Sequence, residues 1–308
     1  MKTIYFKSPQ EKELKEISEI RDGCWINIEN ATKKDLEDLL PLTGLEYIDI
    51  DDSLDLYELP RLERHKDITI IFVRNPSIND ESQHTEILTI IFSHKYLITI
   101  SPNKNSTISY LLESMPQKLL ANQPTKLLIT ILLNIAQQFT YEIKALRTNV
   151  RVHKSDILHI DTPDFVILAK TEETLNFYLS ALVADTNVLE AILSTKTIEF
   201  HEEDTDLLDD LLITIRQSAD NCRTSVANIR SLRDSYQVIF TNNLNKTIKL
   251  LTSLTIILTV PTIIASIFGM NVRLPLSHDS VLSFPIILAI IILFSAIVLF
   301  IFNWKRWL

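Results

Sequence analysis

Apolar residues follow two different rhythms along this chain. In the first 120 residues they form short runs rich in Ile and aromatics: "TIYF", "CWINIE", "ITIIFV", "EILTIIF" and "YLITIS". Such residues suit a pleated, buried surface, so each run is expected as a strand. "TKKDLEDLL" is expected as a helix capped by Thr32, with Asp35 at the third helical position. "NSTISYLLESM" reads as another helix, and "FVRNPSINDESQH" as a turn or hairpin loop between two strands. This part is expected to be an α/β domain, residues 1–123.

From Pro124 the spacing becomes helical. "KLLITILLNIAQQFTYEIKALRTNVRVHKS" follows a proline suited to a first helical turn. "TPDF" at Thr162–Phe165 reads as a break, and "EETLNFYLSALVADTNVLEAILS" as a second helix. A kink or turn near "TKTIEFHEED" leads to a third. From Thr205 to Phe268 there is no Gly and one Pro, Pro261. A continuous helix of that length would run roughly 96 Å at ~1.5 Å per residue. It passes without a linker into an uncharged stretch of 23 residues, 250–272; a second uncharged stretch of 25 follows at 280–304. Each exceeds the ~20 residues that cross a bilayer as a helix. A buried core helix is the alternative. Two such stretches in tandem, one containing "FPIILAIIILFSAIVLFIF", argue for spans. The expected architecture is an α+β membrane protein. A cytosolic helical stalk region, 124–248, continues into the first of two transmembrane helices, within a pore domain 249–308 whose outer loop is 269–282.

Charge adds orientation. Lys246, Lys249, Lys305 and Arg306 flank the outer ends of the pair, and the joining loop has only Arg273. By the positive-inside rule both termini are expected in the cytoplasm of a multi-pass cell-membrane protein. The first ~20 residues have no apolar h-region of the kind a signal peptide needs. Net charge is −9, and the part before residue 251 holds about −11 of it. That acidity disfavours nucleic acid and suits cations. Cys24 and Cys222 form no metal-type cluster and are expected to pack as small side chains. Neither a phosphate-binding loop nor a nucleophile–base–oxyanion constellation is evident, so no catalytic residues and no cofactor are expected.

Polar residues inside an apolar span invite a functional reading, because lipid cannot satisfy them. Asn245, Ile248, Thr252, Thr255, Thr259, Thr262 and Ser266 recur in steps of three and four, one face of a helix. Two arrangements suit this stripe. Small hydroxyl residues pack well between helices and bond back to their own helix. Alternatively, several copies meet around water, and the stripe lines a pore that one hairpin is too small to enclose. Past the stripe comes "SIFGMNVRLP", with the last of only three glycines, Gly269. Glycine there can end a helix with positive φ or let backbone approach a ligand. Met270 can pack sideways, and Asn271 offers a neutral amide oxygen. A ring of such turns would hold Mg²⁺ by its water shell, which that ion gives up reluctantly.

These residues resemble the CorA family of divalent metal ion channels. "GMN" between two spans is the family signature, joined here by a terminal "KRWL". "DSYQVIFTNNLNKTIKLLTSLTIILTVPTIIASIFGMN" is similar to the family's stalk and first membrane helix. "WINIE", "ELPRLERHKDITIIFVRNP" and "HKYLITI" extend the resemblance into the N-terminal part. The resemblance implies a homopentamer that passes Mg²⁺, tolerates Co²⁺ or Ni²⁺, and closes when cytosolic Mg²⁺ is high. It implies a selectivity ring of Gly269, Met270 and Asn271, a polar ring at Asn245, and apolar gate positions at Ile248 and Leu251. It also implies that Asp234 helps hold regulatory Mg²⁺ between subunits, against the plain alternative of a solvated charge beside Arg233. "HEEDTDLLDD" carries Glu202, Glu203, Asp204, Asp206, Asp209 and Asp210. Such a run is usually a solvated face; in a pentamer, divalent cations would relieve its self-repulsion. "DIDD" at Asp49–Asp52 is a candidate partner across the interface.

Four departures stand out, one being a short terminal basic cluster of Lys305 and Arg306 only. Phe268 replaces a frequent Tyr, Thr259 replaces a bulky apolar residue, and "VRLPLSHDS" lacks the frequent Met-Pro-Glu segment. The rival readings are a Zn²⁺ transporter of the same superfamily, with which His278 is compatible, and a membrane-anchored sensor that does not conduct.

Overall fold

The computed structural model describes residues 1–7, 14–77, 84–153, 162–195, 197–270, 282–305 and 307. The chain divides into two compact units, Met1–Arg233 and Asp234–Leu308. The expected boundary at 123/124 therefore falls inside one packed unit, for the helices after Pro124 share a core with the sheet.

That sheet has seven strands: β1 (Lys2–Phe6), β2 (Lys15–Ile17), β3 (Cys24–Ile28), β4 (Arg61–His65), β5 (Ile68–Pro76), β6 (Thr85–Phe92) and β7 (Tyr96–Ile100). Their order is β2-β1-β3-β7-β6-β5-β4. Every pairing is antiparallel except β3 with β7, where Ile26 faces Ile98. β3, β6 and β7 are buried at every position, and β5 at every position but Arg74. This explains why their sequences are apolar runs without alternation: both faces are covered. The two edge strands, β2 ("KEI") and β4 ("RLERH"), are charged and partly exposed, as edges that avoid further pairing tend to be. β5 and β6 form a hairpin with Pro76 opposite Thr85; residues 78–83 lie outside the described residues.

One face of the sheet packs under three short helices, α1 (Lys33–Glu37), α2 (Leu40–Thr43) and α3 (Tyr47–Ile50). Leu36, Leu39 and Ile50 meet Ile26, Ile70, Phe72 and Ile98 there. Thr32 and Asp35 close a reciprocal capping box at the start of α1. The opposite face carries α4 (Ser106–Ser114), capped by Asn105, then α5 (Pro124–His153) and α6 (Thr162–Thr195). "TPDF" is therefore the first turn of α6 and not a break: proline is tolerated at a helix start, where its missing N–H has no partner to lose.

The third long helix, α7, runs unbroken from Thr205 to Phe268. Its first part lies on α5 and α6. Ser218 Oγ is 2.5 Å from Thr140 Oγ1, Cys222 Sγ donates to the Leu175 carbonyl at 3.2 Å, and Arg216 pairs with Glu190 at 2.6 Å. Both cysteines are buried and unbridged, as small packing residues should be.

Among the described residues, three helices are long and apolar enough to cross a membrane: α6, α7 and α8 (Ser283–Trp304). α6 differs in packing on β4, β5 and α5, with Leu175, Leu182, Leu189 and Ile192 buried. Its apolar surface is spent on the core. α8 has no buried residue at all.

Candidate functional site

In the second unit, Ser253, Ile257, Val260, Pro261, Ile264 and Phe268 of α7 are buried or half-buried. α8 carries a comparable half-buried row at Ile287, Ile290, Ile291, Ser295 and Val298. Apart from Tyr236, Ile239, Ser283 and Phe302, the remaining positions of both helices in this unit are exposed. At ~100° per residue, the covered row of α7 stands about 180° from Thr255, Thr259, Thr262 and Ser266. The hydroxyl stripe is thus exposed and opposite the covered row. Asn245, Ile248, Leu251 and Thr252 are exposed as well.

Three threonines in the stripe donate to their own helix. Thr255 Oγ1 reaches the Leu251 carbonyl at 2.9 Å, Thr259 Oγ1 the Thr255 carbonyl at 2.7 Å, and Thr262 Oγ1 the Leu258 carbonyl at 2.9 Å. Back-bonding of this kind keeps a hydroxyl satisfied in an apolar span. Pro261 has no N–H for the carbonyl four residues earlier, and it sits on the covered side of the helix.

The turn after the stripe departs from one expectation. Gly269 does not adopt positive φ; among the described residues only Gly23 and Gly44 are glycines that do. The Gly269 amide donates to the Ala265 carbonyl at 2.9 Å, and Met270 N to the Ile267 carbonyl at 3.3 Å, so the helix ends by tightening. A Cβ at Gly269 would stand 3.3 Å from the Ala265 carbonyl oxygen. Close backbone approach is what remains of the two roles expected for this glycine. Met270 is exposed. Asn271, and with it Arg273, His278 and Asp279, lies outside the described residues.

The acidic positions separate into two kinds. Glu202, Glu203, Asp206, Asp209 and Asp210 are exposed, and so is Asp234 on α7. Asp204 is fully buried. It belongs to the short 3₁₀ turn Glu202–Asp204, where its Oδ2 accepts from the His201 amide at 3.4 Å. Lys126 Nζ stands 3.4 Å from Glu203 and 3.9 Å from Asp204. The candidate partners at 49–52 are partly engaged within the chain. Asp52 pairs with Arg61 at 2.6 Å, and Asp49 lies 3.7 Å from His65. Among the described residues of one chain, no three His, Cys, Asp or Glu side chains gather at metal-ligand spacing.

Arg61 went unnoticed in the sequence. Its guanidinium holds Asp52, Glu58 and Glu63 together and lies 4.0 Å over the Phe72 ring. Glu172 did as well: this buried acid of α6 is clamped by Arg230, at 3.2 Å, and Arg233 on α7. Its only signal is a charge seven residues past "TPDF", at the head of "EETLNFYLS".

Residues 21–306 match the family described as CorA-like Mg²⁺ transporter protein. The cobalt/magnesium transport protein CorA of Methanocaldococcus jannaschii is 26% identical over 296 residues, covering 92% of this chain and 91% of that protein. The complete structure of the CorA magnesium transporter from the same organism superposes with a TM-score of 0.83 at 23% identity, over 100% of this chain and 99% of that one. The ZntB cytoplasmic domain from Vibrio parahaemolyticus shares the fold of the corresponding part, with a TM-score of 0.63 at 10% identity over 78% of this chain and 98% of that domain. With the α/β unit, the long helix and the apolar C-terminal helix all in the same order, this chain belongs to the CorA family of divalent cation transporters.

Proposed function

We propose that the chain forms a homopentameric, membrane-potential-driven channel for hydrated Mg²⁺, with Co²⁺ or Ni²⁺ tolerated. The observation that carries this reading is the orientation of the hydroxyl stripe. The half-buried row of α7 lies on the opposite face, and Thr252, Thr255, Thr259, Thr262 and Ser266 are exposed, where neighbouring copies would meet them. Back-bonding lets these hydroxyls tolerate lipid, but their remaining lone pairs gain hydrogen bonds only from a shared aqueous axis. The chain spans the membrane twice with both termini in the cytoplasm. Gly269, Met270 and Asn271 form the outer ring and hold the ion through its water. Asn245 forms the inner ring, with Ile248 and Leu251 at the gate. An inside-negative potential supplies ~2.3 kcal/mol per charge per 100 mV, twice that for a divalent ion, so flux needs no other energy source.

When cytosolic Mg²⁺ is plentiful, it bridges acids of adjacent subunits and holds the closed state. Scarcity releases it. The ion must bind the closed state better than the open one for this to work. Asp234 and the exposed acids Glu202, Glu203, Asp206, Asp209 and Asp210 are the ligand candidates. Enclosure of Asp204 beside Lys126 leaves it the weakest member of the set.

Flux into liposomes loaded with a Mg²⁺-sensitive dye tests the pathway. Wild type should conduct and Asn271→Ala should lose Mg²⁺ flux or its selectivity; unchanged uptake removes the outer ring from the mechanism. Zn²⁺ flux in preference to Mg²⁺ would favour the zinc-transporting rival. Pentamers without any flux would favour a sensor.

A further inference from the structure

Asp185 sits on the buried side of α6, 4% exposed, where four elements converge. A narrow apolar cavity of about 10 Å³, room for one water, opens beside it. Val73 of β5, Ile135 of α5, Leu189 of α6, and Leu211 and Ile215 of α7 line that cavity together with the Asp185 carboxyl. Oδ1 accepts one bond, from the Arg74 amide at 3.1 Å. Oδ2 has no hydrogen-bond partner among the described residues.

One amide is weak compensation for an ionised carboxylate in an apolar site. The charged groups around it do little more. From β5 the Arg74 guanidinium faces it, but four of its five N–H donors are committed elsewhere: to Thr85 Oγ1 and the carbonyls of Glu58 and Thr85 at 2.8 Å, and of Leu56 at 3.1 Å. Asp185 is the foremost charge partner of that guanidinium, which Asp55, Glu86 and Glu58 share. α5 and α7 present only apolar groups to the cavity, Leu132, Ile135, Leu211 and Ile215. Burial accordingly raises the Asp185 pKa well above the carboxylate range, against smaller opposing effects of the Arg74 amide bond and charge.

We propose that Asp185 is a proton-operated lock on the packing of α5, α6 and α7 against the sheet. Neutral, it lets the four elements close on a dry cavity. Ionised, it draws water in and parts them. The lock gives the soluble unit an input from cytosolic pH that is separate from its divalent cations, and it acts on the helix that continues into the second unit.

The sign follows from linkage. The closed unit holds the proton more tightly than the opened one. Closure is therefore undiminished below the ordinary aspartate value and is lost as pH rises toward the raised value in the closed unit. The closed-to-open ratio falls by up to about tenfold per pH unit across that window. An Asn at this position still accepts from the Arg74 amide but has nothing to titrate.

Hydrogen exchange on the full-length protein in lipid nanodiscs, at pH 6 and pH 8, tests this. For peptides covering residues 132–135, 185–192 and 211–215, protection in Asp185→Asn relative to wild type should rise between the two pH values, by up to about a hundredfold. An equal ratio at both overturns the lock, even if Asn weakens packing uniformly. If Asp185→Asn does not fold, Asp185→Leu supports the same comparison. If neither folds, infrared spectra of wild type with isotope-labelled aspartate decide: a protonated aspartate carboxyl at pH 7 is expected, and fully ionised aspartate overturns the proposal.

Discussion

Gly23 and Gly44 hold similar left-handed backbones, φ +81° and +68°, in different surroundings. A Cβ at Gly23 would meet the backbone of Asn122 at 3.2 Å, whereas one at Gly44 would meet nothing within 4 Å. Gly44→Ala should cost only the left-handed penalty, roughly 1–2 kcal/mol. Gly23→Ala adds a backbone shift and should cost more, roughly 2–4 kcal/mol in total. Thermal unfolding of the two variants side by side would show the order. The cysteines give a second test. Burial pushes the Cys222 thiol up to about 12 and raises that of Cys24 as well. Since only the thiolate is alkylated, Cys222 in the folded protein should react at pH 8 on the order of a thousandfold more slowly than a free thiol. Quantitative labelling by mass spectrometry checks it; rapid modification without unfolding would contradict its enclosure. At this scale the sequence was least legible. The fork of Arg61 joins Asp52, Glu58 and Glu63 through a strand edge, and Glu172 meets arginines some sixty positions away. The Glu172 clamp depends on how distant segments meet, and no local pattern announces it; the acids around Arg61 lie within nine positions of it but share no one helix or strand.

Elements were more legible, for physical reasons that differ among them. α7 could be bounded at Thr205 and Phe268 because a stretch without glycine and with one proline has nothing to stop it. β3, β5, β6 and β7 show as β-branched runs because both their faces are covered. β2 and β4 escaped notice because charged edge strands look like loops. α6 shows that length and apolarity do not separate a core helix from a span; only packing does. The capping box of α1 is a local device, so Thr32→Ala should lower stability by about 1 kcal/mol and leave flux alone, measurable by denaturant titration and dye uptake. The stripe of α7 is a device of another kind. Thr255→Val/Thr259→Val/Thr262→Val removes hydroxyls that hold only their own helix, so circular dichroism and assembly should be unchanged. Mg²⁺ flux should fall at least about tenfold, as losing polar contacts worth ~1.4 kcal/mol to the passing ion would require. Full flux in that variant would turn the stripe back into a packing surface.

For the molecule as a whole, the unit boundary at Arg233 makes a prediction about autonomy. The sheet, its two layers of helices and the clamp on Glu172 all lie before residue 234. A fragment ending at Arg233 should therefore fold and stay in solution without detergent, with a cooperative melt. Aggregation or a molten profile would mean that the remaining residues complete its core.

The back-bonded threonines have a consequence for what a stripe of neutral side chains can discriminate. Each hydroxyl hydrogen of Thr255, Thr259 and Thr262 is already given to a carbonyl of its own helix, so what faces outward is lone pairs. Water coordinated to a cation points its hydrogens away from the ion and meets such a wall with donors; water around an anion points its oxygens outward and finds nothing to accept. Helix geometry alone would then make an uncharged surface sort hydrated ions by sign.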